Sequence, residues 1–167
     1  MKASIYFGST TGTTEAVAGT IAEALGLPAD AVHDVSELDE DAVAENDVLI
    51  LGTSTWGEGE LQDDWYDGVE VLKGADLSGK KIALFGCGDS QSYCDTFCDG
   101  MGVLYEDLQD KGCTFIGAVD ADGYDYSESR SVVGGKFVGL AIDDMNESDK
   151  TEDRINAWAE LIKPELV

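Results

Sequence analysis

Short apolar segments alternate with amphipathic segments along most of the chain. The apolar runs predict strands, and they cover residues 3–7, 31–35, 47–52, 81–87, 113–119 and 137–142. The segments with helical spacing predict helices at residues 13–25, 63–73, 96–111 and 151–163, with a short helix or turn at 36–46. Continuous apolar runs such as Val48–Leu51 are typical of parallel strands that are buried on both faces.

This alternation predicts an α/β fold with a doubly wound parallel sheet. The length suits one domain spanning residues 1–167. Residues 120–136 are polar and interrupt the pattern, so we interpret them as an insertion within the last strand. In such sheets, ligands bind beyond the carboxyl ends of the strands. The loops expected at that edge are 8–14, 53–62 and 88–95.

The chain is strongly acidic, with 10 Lys and Arg against 35 Asp and Glu and a net charge of −25 at pH 7. Such a charge repels nucleic acid and anionic membranes, and it attracts proteins with basic surfaces. The sequence has no apolar run of transmembrane length and no signal-type segment at its start. We therefore expect a cytoplasmic protein that binds neither nucleic acid nor membranes.

The first loop, Gly8-Ser9-Thr10-Thr11-Gly12-Thr13-Thr14, joins a predicted strand to a predicted helix. The first N–H groups of a helix are unpaired, and the helix dipole favours an anion beside them. A triphosphate-binding loop of the form G-x-x-x-x-G-K-[ST] needs a lysine, and this loop has none. Its neutral donors suit a single phosphate monoester. The alternative is that the hydroxyls only cap the helix.

Each of the other two loops contains an aromatic residue. Trp56 lies within Thr53-Ser54-Thr55-Trp56-Gly57, and Tyr93 follows Cys87-Gly88-Asp89. Because loops run over the surface, these two rings are available to hold a planar group between them. The alternative is that each ring only covers the edge of the sheet. Together with the phosphate loop, the pattern favours a ligand that has a planar ring and a phosphate.

Taken in order and spacing, the three loops resemble those of flavodoxins, and the resemblance covers the whole chain. The insertion is similar to that of the long-chain group. The resemblance implies a three-layer α/β/α sandwich with a five-stranded parallel sheet in the order 2-1-3-4-5. It also implies non-covalently bound flavin mononucleotide (FMN) and a low-potential one-electron carrier, not an enzyme. Such a monomer would exchange electrons with a reductase donor and a low-potential acceptor, both with basic surfaces.

The resemblance also implies a set of cofactor-binding residues. Trp56 and Tyr93 match the residues that flank the isoalloxazine ring in the family. After that tyrosine the family often has Asn and Gln, where this chain has Thr96 and Cys98. Phe97 also fits a core position. The full set is Ser9, Thr10, Thr11, Gly12, Thr13, Thr14, Thr53, Ser54, Thr55, Trp56, Gly57, Cys87, Gly88, Asp89, Tyr93, Cys94, Phe97 and Cys98.

Acidic residues lie within or directly after the second and third loops, among them Glu58, Asp63 and Asp95. A negative charge added to a ring about 10 Å from one carboxylate costs roughly 0.4–1.7 kcal/mol at effective dielectric constants of about 80 to 20. The surrounding charge therefore favours a low reduction potential.

The cysteines and the sole histidine do not predict a metal site. Cys94 and Cys98 are four positions apart, and a zinc site would need a second pair or histidines. His33 lies on the second predicted strand, away from the three loops, where we expect a structural or solvent-facing role. Cys87 and Cys113 lie within or beside apolar runs and are expected in the core.

Three other interpretations stay open at this point. An FMN-dependent enzyme of the same fold group, such as a quinone reductase, would oxidise NAD(P)H rapidly by two electrons. A phosphorylatable receiver domain would need an acidic cluster after the first strand, where this chain has Gly8-Ser9. An acidic interaction module would fail to bind FMN.

Overall fold

A parallel sheet lies at the centre of the computed structural model. The structure describes residues 2–8, 12–56, 60–61, 64–89, 91, 96–122, 124, 126–144 and 146–166, with Trp56, Glu60 and Leu61 described by their backbone alone. The strands are β1 (Ala3–Gly8), β2 (Val32–Asp34), β3 (Val48–Trp56), β4 (Glu60–Leu61), β5 (Lys81–Cys87), β6 (Thr114–Ile116), β7 (Val119–Asp120), β8 (Val132–Val133), β9 (Lys136–Phe137) and β10 (Leu140–Ile142). The α-helices are α1 (Thr13–Leu25), α2 (Glu40–Glu45), α3 (Trp65–Gly74), α4 (Asp99–Leu108) and α5 (Ser148–Ile162).

The strand order of the main sheet is β2-β1-β3-β5, and β6 and β10 share the outer place beside β5. β6 pairs with the start of β5, where Lys81 lies opposite Thr114, and β10 pairs with its end, where Leu140 lies opposite Phe85. All of these pairings are parallel. The predicted α/β fold and strand order 2-1-3-4-5 are confirmed.

Helices cover both faces of the sheet, and side chains alternate between two core clusters along each strand. On β3, Leu49 and Leu51 face a cluster that includes residues of α3 and α4. Val48 and Ile50 on the same strand face a second cluster, which includes residues of α1 and α5. This alternation divides the continuous apolar run between two helical layers. Within the described residues, none of the helices has both the length and the apolar character needed to span a membrane.

Several boundaries differ from the sequence prediction, and three of the differences have a clear structural reason. β3 extends to Trp56, into the predicted loop 53–62, because it pairs with β4 in an antiparallel hairpin. α4 begins at Asp99 instead of residue 96, because Cys98 has a φ of 54° and cannot belong to a right-handed helix. β6 ends at Ile116, because Gly117 follows it with a φ of 84°.

The segment between β6 and β10 forms its own small antiparallel sheet, in the order β7-β9-β8. Its aromatic side chains meet Phe97, which stacks on Tyr126 with 5.7 Å between ring centroids and meets Phe137 edge-on at 5.9 Å. The strand predicted at 137–142 is divided between β9 and β10. Gly139 lies at the division, where a side chain would collide with the Leu84 carbonyl of β5.

Candidate cofactor site at the carboxyl edge of the sheet

The carboxyl ends of three neighbouring strands bring the starts of the three predicted loops together. Gly8 at the end of β1 is paired with Thr53 of β3. Thr53 is in turn paired with Gly86 of β5, and Ser54 with Cys87. Because these pairs are hydrogen-bonded neighbours, the three chain segments leave the sheet side by side. Lys80 and Lys81 lie at the opposite, amino-terminal end of β5, which begins at Lys81. These two cations are therefore far from the carboxyl edge of the sheet.

The described part of the first loop is the start of α1. Gly12 precedes the helix with a φ of 93°, and its carbonyl accepts the Ala16 N–H at 3.0 Å. Thr13 is half-buried and Thr14 is fully buried. Within the described part of the chain, the Thr14 hydroxyl oxygen is buried without a hydrogen-bond partner of ordinary geometry. Ser9, Thr10 and Thr11 lie outside the described residues.

The second loop is bound to the start of α4. The Thr55 hydroxyl accepts the Gly100 N–H at 2.9 Å. Thr53 is buried, and its hydroxyl donates to the Ser54 carbonyl at 2.8 Å. A methyl group on Gly100 would lie 2.8 Å from that same Ser54 carbonyl oxygen, so the close approach requires glycine. The backbone of Trp56 is part of β3 and pairs with β4. The Trp56 side chain and Gly57 lie outside the described residues.

The third loop begins against the segment that follows β10. The Gly88 N–H donates to the Ile142 carbonyl at 2.9 Å. One Asp89 carboxylate oxygen accepts hydrogen bonds from the Asn146 amide at 2.7 Å and from the Gln91 N–H at 3.1 Å. These bonds hold the first part of the loop at the sheet edge. Tyr93 and Cys94 lie outside the described residues.

Two predicted site residues have side chains that face the interior. Phe97 and Cys98 are both fully buried. The Phe97 ring belongs to the aromatic cluster of the inserted segment, and the Cys98 thiol lies 3.7 Å from the Gly86 carbonyl oxygen. Any contact of these two residues with a ligand at the edge would therefore use their main chain.

Burial also determines the chemistry of the described thiols. It raises the pKa of Cys87 to about 12, while the nearby Thr14 hydroxyl lowers that pKa by a smaller amount. Burial raises the pKa of Cys98 well above its ordinary value, and that of Cys113 in the same direction. All three thiols are free, and they stay protonated at neutral pH. Among the described residues, no group of three or more His, Cys, Asp or Glu side chains forms a potential metal site.

Several residues that hold the site were not found from the sequence. Asn146 and Asp143 follow β10, and the Asn146 amide links Asp143 to Asp89. The rule that loops after parallel strands share one edge would have identified this segment as a fourth loop. Ser129 and Ser131 of the inserted segment bind the carbonyls of Phe97 and Cys98. No local pattern marks those two serines, because their partners are more than 30 positions away.

Known proteins that resemble this chain do so over nearly its whole length. A family model described as flavodoxin matches residues 5–158. The chain is 46% identical over 165 residues to a flavodoxin of Picosynechococcus sp., which covers 98% of this chain and 96% of the relative. It is 41% identical over 167 residues to flavodoxin 1 of Azotobacter vinelandii, which covers 98% of this chain and 96% of that relative.

A solved structure extends this similarity to three dimensions. The flavodoxin of Fusobacterium nucleatum bound to flavin mononucleotide has a TM-score of 0.91 at 30% identity and covers 99% of both chains. This chain therefore belongs to the flavodoxin family.

Proposed function

We propose that this chain is an electron carrier that binds one FMN non-covalently at the carboxyl edge of its sheet. The observation that supports this most directly is the buried Thr14 hydroxyl, which makes no hydrogen bond of ordinary geometry within the described residues and has only the Cys87 thiol beside it. A buried hydroxyl without a partner costs about 1–3 kcal/mol, so such a group usually has a ligand. Thr14 lies in the first turn of α1, where a phosphate is favoured by the helix dipole.

The donors of the first loop fit a phosphate monoester. Helix α1 begins after Gly12, and the first N–H groups of a helix have no partner within the helix itself. The phosphate-binding residues would be Ser9, Thr10, Thr11, Gly12, Thr13 and Thr14. None of these residues is a cation, so the phosphate charge would be held by neutral donors alone.

The second and third loops would hold the rest of the cofactor. We assign the ring faces to Trp56 and Tyr93, and we assign further contacts to Thr53, Ser54, Thr55, Gly57, Cys87, Gly88, Asp89, Cys94, Phe97 and Cys98. The solved Fusobacterium nucleatum flavodoxin is bound to flavin mononucleotide, which supports this assignment. The side chains of Phe97 and Cys98 are buried, and the inserted segment binds the Phe97 N–H and the carbonyls of both residues. Their main-chain contribution would therefore come from the Cys98 N–H.

When bound, FMN supplies a ring that accepts and releases one electron at a time. The chain's own contribution is electrostatic. The segments 8–14, 53–62 and 88–95 contain no Lys or Arg, and carboxylates lie within or directly after two of them. An added electron would therefore meet carboxylates and no compensating cation in these loops, which lowers the reduction potential. As a flavodoxin the chain carries electrons between redox proteins and is not an enzyme.

The net charge of −25 suggests which surfaces the partners present. We propose a reductase donor and a low-potential acceptor with basic surfaces, because opposite charge accelerates weak, rapid encounters. We also propose that residues 1–167 act as a single-domain monomer with 120–136 inserted in the last strand. The free thiols of Cys87, Cys98 and Cys113 suit the reducing cytoplasm.

A binding titration followed by reduction tests the cofactor proposal. Apoprotein titrated with FMN should quench the flavin fluorescence at one equivalent, and riboflavin, which lacks the phosphate, should bind more weakly. Anaerobic reduction of the complex should then proceed in two separated one-electron steps. Equal affinity for FMN and riboflavin would contradict the phosphate site, and a single two-electron step would contradict the carrier.

A further inference from the structure

The inserted segment makes several contacts with residues 97–99, which connect the third loop to α4. We call residues 128–131 the brace. The Phe97 N–H donates to the Glu128 carbonyl at 3.4 Å, and the Ser129 hydroxyl donates to the Phe97 carbonyl. The Ser131 hydroxyl, which is fully buried, donates to the Cys98 carbonyl at 2.6 Å. The brace therefore binds three successive peptide groups between the third loop and α4.

The residue held in this way has an unfavourable backbone conformation. Within the described residues, Cys98 is the only residue other than glycine with a positive φ, at 54°. For an L-residue this region is costly, and it persists when the surroundings enforce it. A side chain on Gly88 would lie 2.9 Å from the Cys98 nitrogen, so the loop start packs closely against the same residue.

The first turn of α4 is bound to the brace as well. The Arg130 N–H donates to the Asp99 carboxylate at 2.7 Å, and Asp99 is only 3% exposed. Gly102 lies against the brace backbone, where a side chain would come within 2.8 Å of the Arg130 carbonyl carbon. The start of α4 and the brace therefore pack closely, with no room for a side chain at Gly102.

We propose that the brace positions the third loop for cofactor binding by holding Cys98 in its left-handed conformation. This inference rests on the proposed function, in which the third loop contacts the flavin. Without the Ser131 hydroxyl, Cys98 relaxes toward negative φ, and Phe97, which lies between the third loop and Cys98, loses its orientation. The inserted segment thus acts on the cofactor site through Cys98, while Ser129 and Ser131 are positioning residues.

The direct test compares Ser131→Ala with Ser127→Ala in the full chain. Ser127 is an exposed serine of the same segment, and its hydroxyl makes no hydrogen bond with any described residue. In apoprotein, hydrogen exchange at the Phe97 and Gly100 amides should become about fivefold faster in Ser131→Ala, which corresponds to one lost hydrogen bond. The FMN dissociation constant should rise by about the same factor. Ser127→Ala should change neither quantity.

Amide exchange tests whether the brace holds Cys98, and FMN affinity tests whether the third loop binds the cofactor. Unchanged amide exchange in Ser131→Ala would overturn the proposal that the brace holds Cys98 in its left-handed conformation. Faster exchange with unchanged FMN affinity would instead show that the loop is braced but does not bind the flavin, which would overturn the link to the cofactor. If Ser131→Ala does not fold, Ser129→Ala removes the neighbouring hydrogen bond and is read in the same way.

A second comparison tests the role of the left-handed conformation. Glycine adopts positive φ without cost, so Cys98→Gly should make the loop less dependent on the brace. Adding Ser131→Ala should then weaken FMN binding less than twofold in the Cys98→Gly background. In the Cys98→Ala background, which removes the thiol but keeps the strain, the full fivefold effect should persist. Equal effects in both backgrounds would contradict the proposed mechanism.

Discussion

Thr14 combines two properties that rarely occur together in a folded protein. The residue is 1% exposed, and within the described residues its hydroxyl oxygen makes no hydrogen bond of ordinary geometry. The nearby Cys87 thiol is a weak partner at best. In the absence of ligand this hydroxyl therefore destabilises the protein, and in the presence of a phosphate it becomes a donor to a charged acceptor.

We expect Thr14→Val, which keeps the side-chain shape, to act in opposite directions on stability and binding. The free energy of unfolding of the apoprotein should rise by about 1 kcal/mol, because a buried polar group is removed. The FMN dissociation constant should rise about tenfold to a hundredfold, as for a lost hydrogen bond to a charged group. Urea unfolding and fluorescence titration measure the two quantities.

Riboflavin and Thr20→Val provide the controls for this prediction. Riboflavin has no phosphate, so Thr14→Val should bind it as the original chain does. Thr20 lies on the same helix, and its hydroxyl donates to the Ala16 carbonyl at 3.1 Å. Thr20→Val should leave FMN binding unchanged. An equal loss of riboflavin affinity in Thr14→Val would mean that the substitution disturbs the site as a whole.

At the scale of elements, the second loop and α4 approach each other closely at Gly100. A methyl group there would lie 2.8 Å from the Ser54 carbonyl oxygen and 3.2 Å from the Thr55 hydroxyl. Gly100→Ala should therefore lower the free energy of unfolding by about 1–3 kcal/mol, as overpacked substitutions do. Urea unfolding of the apoprotein measures this change.

Gly19 in the middle of α1 is the matched control for Gly100. A methyl group on Gly19 would meet no atom within 4 Å. Gly19→Ala should therefore raise the free energy of unfolding by about 0.5–1 kcal/mol, because alanine favours the helix. If both alanine variants shifted stability in the same direction, the close approach at Gly100 would not be the cause.

Ion pairs at the start of helix α5 make the free energy of unfolding depend on pH. Glu147 accepts from Lys150 at 2.8 Å and from Arg154 at 3.0 Å. The hydrogen bond from Lys150 is the largest cause that holds the pKa of Glu147 below its ordinary value. A carboxylate whose folded-state pKa is lowered contributes stability above its unfolded-state pKa of about 4.3. That contribution is lost as the pH falls through the lowered folded-state pKa.

We expect Glu147→Gln to be less stable by about 1 kcal/mol at neutral pH. The difference should shrink in acid and vanish below the lowered pKa, where Glu147 is neutral in the original chain too. Glu152→Gln removes the same charge from the exposed face of α5, where Glu152 pairs with no described residue. Urea unfolding across the pH range should show the acid-dependent difference only for Glu147→Gln.

The fold was largely predictable from local patterns, and the parts that were not depend on distant contacts. α1 and β5 have the predicted bounds, because apolar spacing and a terminal glycine mark them in the sequence. The hairpin of β3 and β4 was missed, because its glycines and hydroxyls are typical of loops. The late start of α4 at Asp99 was missed as well, because residues of the inserted segment bind the carbonyl groups of Phe97 and Cys98, directly before the helix.

At the candidate site, the meeting of the three strand ends could be predicted from the sequence, while the surroundings of individual residues could not. The pairings of Gly8 with Thr53 and of Ser54 with Cys87 follow from the parallel order, which the sequence indicates. The burial of Phe97 and Cys98 depends on Tyr126, Phe137 and Ser131, far away in the sequence. Single-sequence patterns cannot identify such partners.

At the scale of the whole molecule, the charge of −25 opposes the folded state. Like charges repel more strongly in a compact chain, and salt screens them over about 30 Å at 0.01 M but only about 3 Å at 1 M. The free energy of unfolding of the apoprotein should therefore rise with NaCl concentration at neutral pH. Near the sequence pI of about 4.1 the same titration should have little effect. An equal salt effect at both pH values would indicate ion exclusion instead of screening.

The bonds at the base of the third loop also set the order in which the site is completed during synthesis. The Asp89 carboxylate and the Asn146 amide that binds it are 57 residues apart. At roughly 5–20 residues per second, the ribosome adds that length in roughly 3–11 s. The strands β1, β3 and β5 precede Asn146 in the chain, so they are available to pair while the third loop is still without its support. The third loop therefore receives this support only after the strands on both sides of the site have been made, which places the capture of the cofactor among the last events in the production of the molecule.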